Sequence, residues 1–272
     1  METISNGSDK PQRKASSEGN FYPESPNTIG PGMNDRIRRL RKLSVEAKPS
    51  LSIERALHET AFYQQNLGKH STPVLRALNF LNHCEKKTLY LGDDELIVGE
   101  RGPVPKAVPT FPELTCHSVE DFHVLKDREQ QSYSISDEDI DTYAREVIPY
   151  WQGKTIRERI FNHVPQEWLA AYQAGLFTEF MEQRAAGHTA LDGQIYNKGM
   201  LDFKQQIAAE IDALDYLNDP EATDRYEELT AMAISCDAVI VFAERHAELA
   251  DRLAAQEQDP QRIDELEKIA EV

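Results

Sequence analysis

The sequence predicts a mainly α-helical fold with a few short strands. Over most of residues 33–272, apolar side chains recur every three or four positions, the period of a helix with one buried face. Ser, Thr or Asp residues stand at the beginnings of these periodic runs, as they do at helix N-termini. Residues 88–118 break the pattern because they are dense in proline and glycine, which favours loops and short strands.

Three helices are predicted before this loop, over 33–46, 52–66 and 72–86. The first is amphipathic, and its polar side carries Arg36, Arg38, Arg39, Arg41 and Lys42. Such a helix is typical either of a partner site or of a docking helix with a solvated charged side, and both interpretations stay open. Ser52 is expected to cap the second helix, and Thr72 with Pro73 begins the third.

Within the loop, the run from Glu95 to Val98 is the best candidate for a short strand. A proline-rich segment this long is usually functional or lies on a partner surface. Helices resume at Ser136, which forms a capping box with Asp139. Further helices are predicted over 153–164, 165–184, 220–256 and 260–272. The last has no glycine cap before Val272, so we expect a chain that has been cut short.

The bulk composition excludes several classes of protein. Net charge is −17, from 47 acidic and 30 basic residues, which argues against a nucleic-acid or anionic-membrane surface. Residues 1–32 are rich in Ser, Gly, Pro and Asn and are expected to form a disordered tail. The sequence has no secretory signal and no run of 18 apolar residues, so we expect a cytoplasmic protein that does not enter a membrane.

Generic site motifs are missing from the sequence. The three cysteines, at 84, 116 and 236, are far apart and none belongs to a Cys-x-x-Cys pair. No two of the eight histidines have the His-x-x-x-His spacing, so no metal site is predicted. No glycine-rich phosphate-binding motif occurs either.

One stretch, EQRAAGHTALDGQIYNKGMLDFK at 182–204, collects polar groups with a regular spacing. Arg184, His188 and Asp192 follow one another at intervals of four residues, which would place them on one face of a helix. Gly187 and Gly193 interrupt or follow this spacing, and glycine favours loops that approach a ligand closely. The three side chains together offer a donor fork, a switchable donor or acceptor, and an acceptor.

Several blocks in order resemble the glycyl radical enzymes of the pyruvate formate-lyase family over residues 33–272. They are RIRRLRKLSVEAKPSLSIERA, DDELIVGERGPVPKAVPTFPE, SISDEDIDTYAREVIPYWQGKTIRERIF and GHTALDGQIYNKGMLDF. They look closer to the eliminating branch, which includes choline trimethylamine-lyase, diol dehydratases and sulfonate lyases. The resemblance implies the N-terminal part of a ten-stranded α/β barrel. It also implies that His188, in the Gly-His-Thr motif, lies in or beside the substrate pocket with Arg184 and Asp192 beside it.

In this family a glycyl radical is installed by a separate S-adenosylmethionine iron–sulfur activating enzyme, and a cysteine in a Cys-x-Glu context abstracts hydrogen. The sequence contains neither that cysteine context nor an Arg-Val-x-Gly loop. The resemblance therefore implies the N-terminal portion of a lyase that catalyses radical C–X bond cleavage or elimination on a small hydroxylated substrate, with no catalytic residue in this chain. The chain should be inert alone, bind no cofactor itself, and belong to a longer protein that is a homodimer.

Two other interpretations of these features stay open. The chain could instead be a stand-alone helical module that pairs with a separate barrel subunit or with the activating enzyme. At the level of the site, Arg184 and Asp192 could form a structural ion pair, with His188 as an ordinary loop residue.

Overall fold

The computed structural model describes residues 34–177 and 191–272, and these are mostly helical with two short strands. The helices are α1 (Asp35–Glu46), α2 (Glu54–Asn66), α3 (Thr72–Lys86), α4 (Val119–Asp127), α5 (Asp137–Glu146), α6 (Ile148–Trp151), α7 (Ile156–Phe161), α8 (Gln166–Gln173), α9 (Met200–Asp212), α10 (Ala222–Ala254) and α11 (Pro260–Glu271). The strands are β1 (Ser50–Ser52) and β2 (Ala107–Pro109), and a 3-10 turn covers Asp192–Tyr196. The predicted mainly helical class is confirmed for these residues, whereas the predicted tail, 1–32, lies outside them.

The larger core lies where α2 meets α4, α5 and α6. β1 pairs in parallel with β2, with Ser50 opposite Ala107, and this pairing brings the 107–118 segment alongside α2. The buried side chains of this core are Ile53, Ala56, Phe122, Ile135, Ile140, Tyr143, Val147 and Trp151. The Trp151 indole N–H donates to Thr60 Oγ1 over 2.9 Å, so the one polar group of this ring is satisfied inside the core.

A second layer is built on the longest helix, α10, which packs against α3, α9 and α11. Val74 and Ala77 of α3 meet Ala231 of α10 in one small apolar cluster. Further along, Ala250 of α10 and Leu266 of α11 close over Leu91 in another. Small residues on α10 allow these helices to approach closely, and Ala238 and Ala250 are completely buried.

Two predicted helix caps, at Ser136 and Asp259, are confirmed by their hydrogen bonds. The backbone N–H of Asp139 donates to Ser136 Oγ over 3.0 Å, and the N–H of Gln261 donates to Asp259 over 3.1 Å. Ser52 is an exception, because it lies in β1 and leaves Ile53 at the N-cap without a side-chain bond. The long helix begins at Ala222 rather than at Pro220.

Two helices, α4 and α9, were not predicted from the sequence. Both have caps that a pattern search could have found, since Ser118 forms a capping box with Asp121 and the Gly199 N–H donates to Asp202. The predicted strand at Glu95–Val98 was wrong, because this run is irregular and Ile97 is 86% exposed. The strand of this segment lies at β2, where a partner strand is within reach.

Arginines from two helices, α1 and α11, hold the 88–100 segment on the protein. Arg262 of α11, which is 7% exposed, donates to the carbonyl oxygens of Gly92 and Glu95, each over 2.9 Å. Arg39 of α1 binds Asp94 with two hydrogen bonds, of 2.5 and 2.7 Å. Arg36 of α1 also pairs with Glu265 of α11. These contacts favour the docking interpretation of the basic helix α1.

Candidate functional site

The three predicted site residues fall at or beside the boundary of the described residues. Arg184 and His188, together with Gly187, lie in 178–190, outside the described part of the chain. Asp192 is the first residue of the 3-10 turn, and its side chain is likewise not described. The predicted grouping of Arg184, His188 and Asp192 therefore stays a prediction.

The turn that begins with Asp192 is attached to α9 by side-chain hydrogen bonds. Lys198 Nζ donates to Gln194 Oε1 over 3.1 Å and to Gln206 Oε1 of α9 over 3.3 Å. Gly193 lies inside this turn, and a Cβ added to it would meet nothing within 4 Å. The backbone around Asp192 is thus positioned by α9. A larger side chain at position 193 would not clash with its surroundings, so steric space does not explain why this residue is glycine.

An apolar groove opens next to this turn, between α3, α9 and α10. Its volume is about 1270 Å³, and Leu191 and Gln194 lie on its wall beside the Asp192 turn. Apolar side chains dominate the lining, including those of Phe80, Phe203, Ile207, Met232 and Val239. The charged lining residues are Arg76, Glu210 and Glu228. A concave apolar surface with a few polar groups is the usual form of a small-molecule or partner site.

A buried polar cluster joins α2, α3 and the segment after β2, and it was not predicted from the sequence. Arg55 binds both carboxylate oxygens of Glu113, over 2.7 and 3.0 Å, and its Nη2 also lies 3.0 Å from Glu59 Oε1. Glu59 is 3% exposed and accepts a hydrogen bond from the Asn79 side-chain amide of α3. The spacing of Arg55 and Glu59, one helical turn apart, was the available signal.

Burial changes the ionisation of several groups in and near this cluster. Burial, together with the charge of Glu113, raises the pKa of Glu59 to about 7, against the opposing effects of Arg55 and of the Asn79 hydrogen bond. Burial also lowers the pKa of His83 to about 4, helped by the nearby Arg55. His83 Nδ1 lies 3.5 Å from Nδ1 of His58, whose pKa is also lowered by burial. Both imidazoles are therefore neutral at pH 7.

The cysteines show no sign of activation. Burial raises the pKa of the Cys84, Cys116 and Cys236 thiols, which keeps them protonated and weakly nucleophilic. Cys116 Sγ lies 3.8 Å from the Tyr143 hydroxyl, inside the core. No group of three His, Cys, Asp or Glu side chains that could hold a metal ion is found in 34–177 and 191–272.

In the same described ranges, no helix combines the length and the apolar character needed to cross a membrane. Even α10, the longest at 33 residues, carries charged side chains along its length.

Comparison with known proteins identifies the family. The family model described as pyruvate formate lyase-like matches residues 33–272. The chain is 45% identical over 240 residues to the trans-4-hydroxy-L-proline dehydratase of Clostridioides difficile, covering 88% of this chain and 30% of that protein. The chain thus spans less than a third of the length of this relative.

Solved structures agree with this assignment. The crystal structure of the C. difficile hydroxyproline dehydratase with bound substrate matches with a TM-score of 0.83, over 88% of this chain and 30% of that one. The glycerol-bound, B12-independent glycerol dehydratase of Clostridium butyricum matches with a TM-score of 0.82 at 27% identity, over 89% of this chain and 31% of that one. The chain belongs to the pyruvate formate lyase-like family of glycyl radical enzymes and corresponds to the N-terminal portion of its members.

Proposed function

We propose that this chain is the N-terminal part of a glycyl radical lyase that dehydrates a small hydroxylated substrate. The observation that carries this proposal is the graded similarity, 45% identity to the hydroxyproline dehydratase against 27% to the glycerol dehydratase. A hydroxylated cyclic amino acid, trans-4-hydroxy-L-proline in the first instance, is therefore the preferred substrate class.

Within this proposal, the chain binds and orients the substrate and does not carry out the radical step. Arg184 would bind a substrate carboxylate through its planar donor fork, and Asp192 would accept from a hydroxyl or ammonium group. His188 would donate or accept at the hydroxyl that leaves. The wall formed by Leu191 and the apolar groove, close to the Asp192 turn, would suit the carbon skeleton of such a substrate.

The radical chemistry would come from parts that this sequence lacks. None of the three cysteines has a glutamate two residues after it, and no glycine stands in an Arg-Val-x-Gly loop. A separate S-adenosylmethionine iron–sulfur enzyme would install the glycyl radical on the longer protein. The 272-residue chain is accordingly expected to be inert alone.

A chimeric enzyme tests the proposal directly. Residues 33–272 would replace the matching segment of the C. difficile hydroxyproline dehydratase, and the product would be activated anaerobically. We expect a normal glycyl radical signal in electron paramagnetic resonance and dehydration of trans-4-hydroxy-L-proline. The control places the same residues in the C. butyricum glycerol dehydratase, where 27% identity predicts poor turnover. A normal radical without hydroxyproline turnover in the first chimera would refute the substrate assignment.

A further inference from the structure

The cluster of Arg55, Glu59, Glu113 and Asn79 joins three parts of the fold. Arg55 and Glu59 belong to α2, Asn79 belongs to α3, and Glu113 comes from the segment that follows β2. The Arg55 guanidinium also lies over the Phe111 ring, 4.2 Å from its centroid. The cluster therefore forms a joint between the two helices and the 107–118 segment.

Charges do not balance in this joint when both carboxyl groups are ionised. One guanidinium then faces two carboxylates, and its two-pronged contact is with Glu113. Glu59 shares only the Nη2 end of Arg55, although it is the more deeply buried of the two carboxyl groups. A buried carboxylate without a full set of partners is costly, whereas a neutral carboxylic acid is tolerated.

Asn79 provides a hydrogen-bond acceptor for the O–H group of a protonated Glu59. Its amide N–H donates to Glu59, while its carbonyl oxygen Oδ1 is buried without any donor in the structure. Asn79 itself is 7% exposed. A carboxylic acid and an amide form a matched pair, because the acid O–H supplies the donor that the amide oxygen needs. Protonation of Glu59 would thus satisfy an orphaned buried acceptor as well as remove the surplus charge.

The other groups around Glu59 do not supply a second cation. On α2, burial and the Glu59 charge raise the pKa of the Tyr63 phenol, so this group stays neutral. On α3, His83 is neutral at pH 7. The charge of Arg76, also on α3, lowers the pKa of Tyr63 rather than that of Glu59. From α6, the buried polar contact next to Glu59 is the uncharged Trp151 bond to Thr60.

We propose that Glu59 is a proton-operated latch at the joint of α2, α3 and the 107–118 segment. When the carboxyl holds a proton, it pairs with Asn79 and leaves Arg55 to Glu113, so the joint is closed. When the proton is released to solvent, two carboxylates compete for Arg55 and the joint loosens. The contribution of Glu59 to the stability of the chain should therefore fall as the pH rises through neutrality, opposite to the contribution of a salt-bridged carboxylate.

The sign of this effect follows from the proton balance. Glu59 in the folded chain titrates at about 7, above the value of 4.5 for a free glutamate, so the folded state binds more protons between these limits. The stabilisation by Glu59 is complete below pH 4.5 and is lost as the pH rises through about 7. Over this window, Glu59 should add on the order of one released proton per molecule on unfolding, while His58 and His83, whose pKa values are lowered by burial, act in the opposite direction.

Urea unfolding of the 272-residue chain at a series of pH values tests the latch. The variants are Glu59→Gln and the control Glu46→Gln, an exposed glutamate on α1. Glutamine mimics the protonated acid, so Glu59→Gln should keep the pH dependence that the buried His58 and His83 give the chain and lack the part that Glu59 contributes. The midpoints of the wild type and the control should therefore fall relative to that of Glu59→Gln from about pH 5 to about pH 8. An unchanged pH slope in Glu59→Gln would overturn the proposal.

A second measurement covers the case in which Glu59→Gln does not fold. Carbon-13 NMR of the wild type with labelled glutamate carboxyls should show one group that titrates near neutrality. In Glu113→Gln the like charge is removed, so this titration should move to lower pH. If every glutamate titrates in the ordinary acidic range, or if the Glu113 change moves nothing, Glu59 is not a latch.

Discussion

At the scale of single residues, a few specific hydrogen bonds hold the polar groups inside the core in position. Thr60 is 3% exposed, accepts from the Trp151 indole and donates its own hydroxyl to the Ala56 carbonyl over 2.6 Å. The Thr60 hydroxyl thus provides the acceptor for the buried indole N–H and also has a partner for its own hydrogen atom. Even a substitution that keeps the volume of such a side chain is therefore expected to reduce the stability of the chain, because it removes the hydrogen bonds.

Thr60→Val should destabilise the chain by about 1–3 kcal/mol, because the indole N–H is left without an acceptor. Chemical unfolding followed by tryptophan fluorescence measures this change. Thr223→Val, on the exposed side of α10, is the matched control and should change stability little. An equal stability for Thr60→Val and wild type would mean that water replaces the hydroxyl.

The substrate-binding prediction also belongs to this scale. In the hydroxyproline dehydratase chimera, Arg184→Ala and His188→Ala should each reduce kcat/KM by the equivalent of about 1–3 kcal/mol, because a polar substrate contact is lost. The glycyl radical yield should stay normal, since neither residue takes part in radical storage. Gln173→Ala, an exposed residue at the end of α8, is the control. Unchanged kinetics in both variants would favour the structural ion-pair interpretation.

At the scale of elements, the long irregular segment after α3 is held by arginines rather than by sheet pairing. Arg262 reaches two of its carbonyl oxygens. Arg245 of α10 fixes the end of α3, where the segment begins, by donating to the Cys84 carbonyl and, over 2.9 Å, to the Lys87 carbonyl. Charged donors to backbone carbonyls are among the stronger hydrogen bonds. The helical pair α10 and α11 therefore orders a segment that has little regular structure of its own.

Arg262→Met should loosen the 88–98 segment while leaving the helices in place, because the methionine keeps the apolar stem and loses both donors. Hydrogen exchange should become faster in this segment, and stability should fall by about 1.5–3 kcal/mol. Arg225→Met, an exposed arginine on α10, is the control. Unaltered exchange over 88–98 would show that packing of Leu91 alone orders the segment.

At the scale of the whole molecule, the described surface carries an apolar groove that the isolated chain leaves open to solvent. Phe80 and Met232 are 43% and 53% exposed on its wall. Exposed apolar surface of this kind favours association. The net charge of −17 opposes it through repulsion that salt screens.

The isolated chain should therefore self-associate through the groove, and more strongly as ionic strength rises. Met232→Lys should weaken this association, because it places a charge on the apolar wall. Leu217→Lys, which is 94% exposed and outside the groove, is the control. Light scattering across a concentration series measures the mass. A wild-type monomer at all concentrations would contradict the prediction.

The amino-acid pattern by itself determined the helical class, most of the helix starts and the family. Those features depend on local signals, such as the Ser136 and Asp259 caps and the spacing of apolar residues along one chain segment. The short helices α4 and α9 were recoverable in the same way, since each begins with a cap bond to an aspartate three residues on.

Only the tertiary structure decided which residues meet across the fold. The strand β2 exists because β1 lies beside it, and the more apolar run at Glu95–Val98 has no such neighbour. Burial raises the pKa of Glu59, and so does the charge of Glu113, which is 54 residues away in the sequence. Strand pairing decides the first outcome, and burial with a distant charge decides the second. None of these is a property of a local sequence pattern.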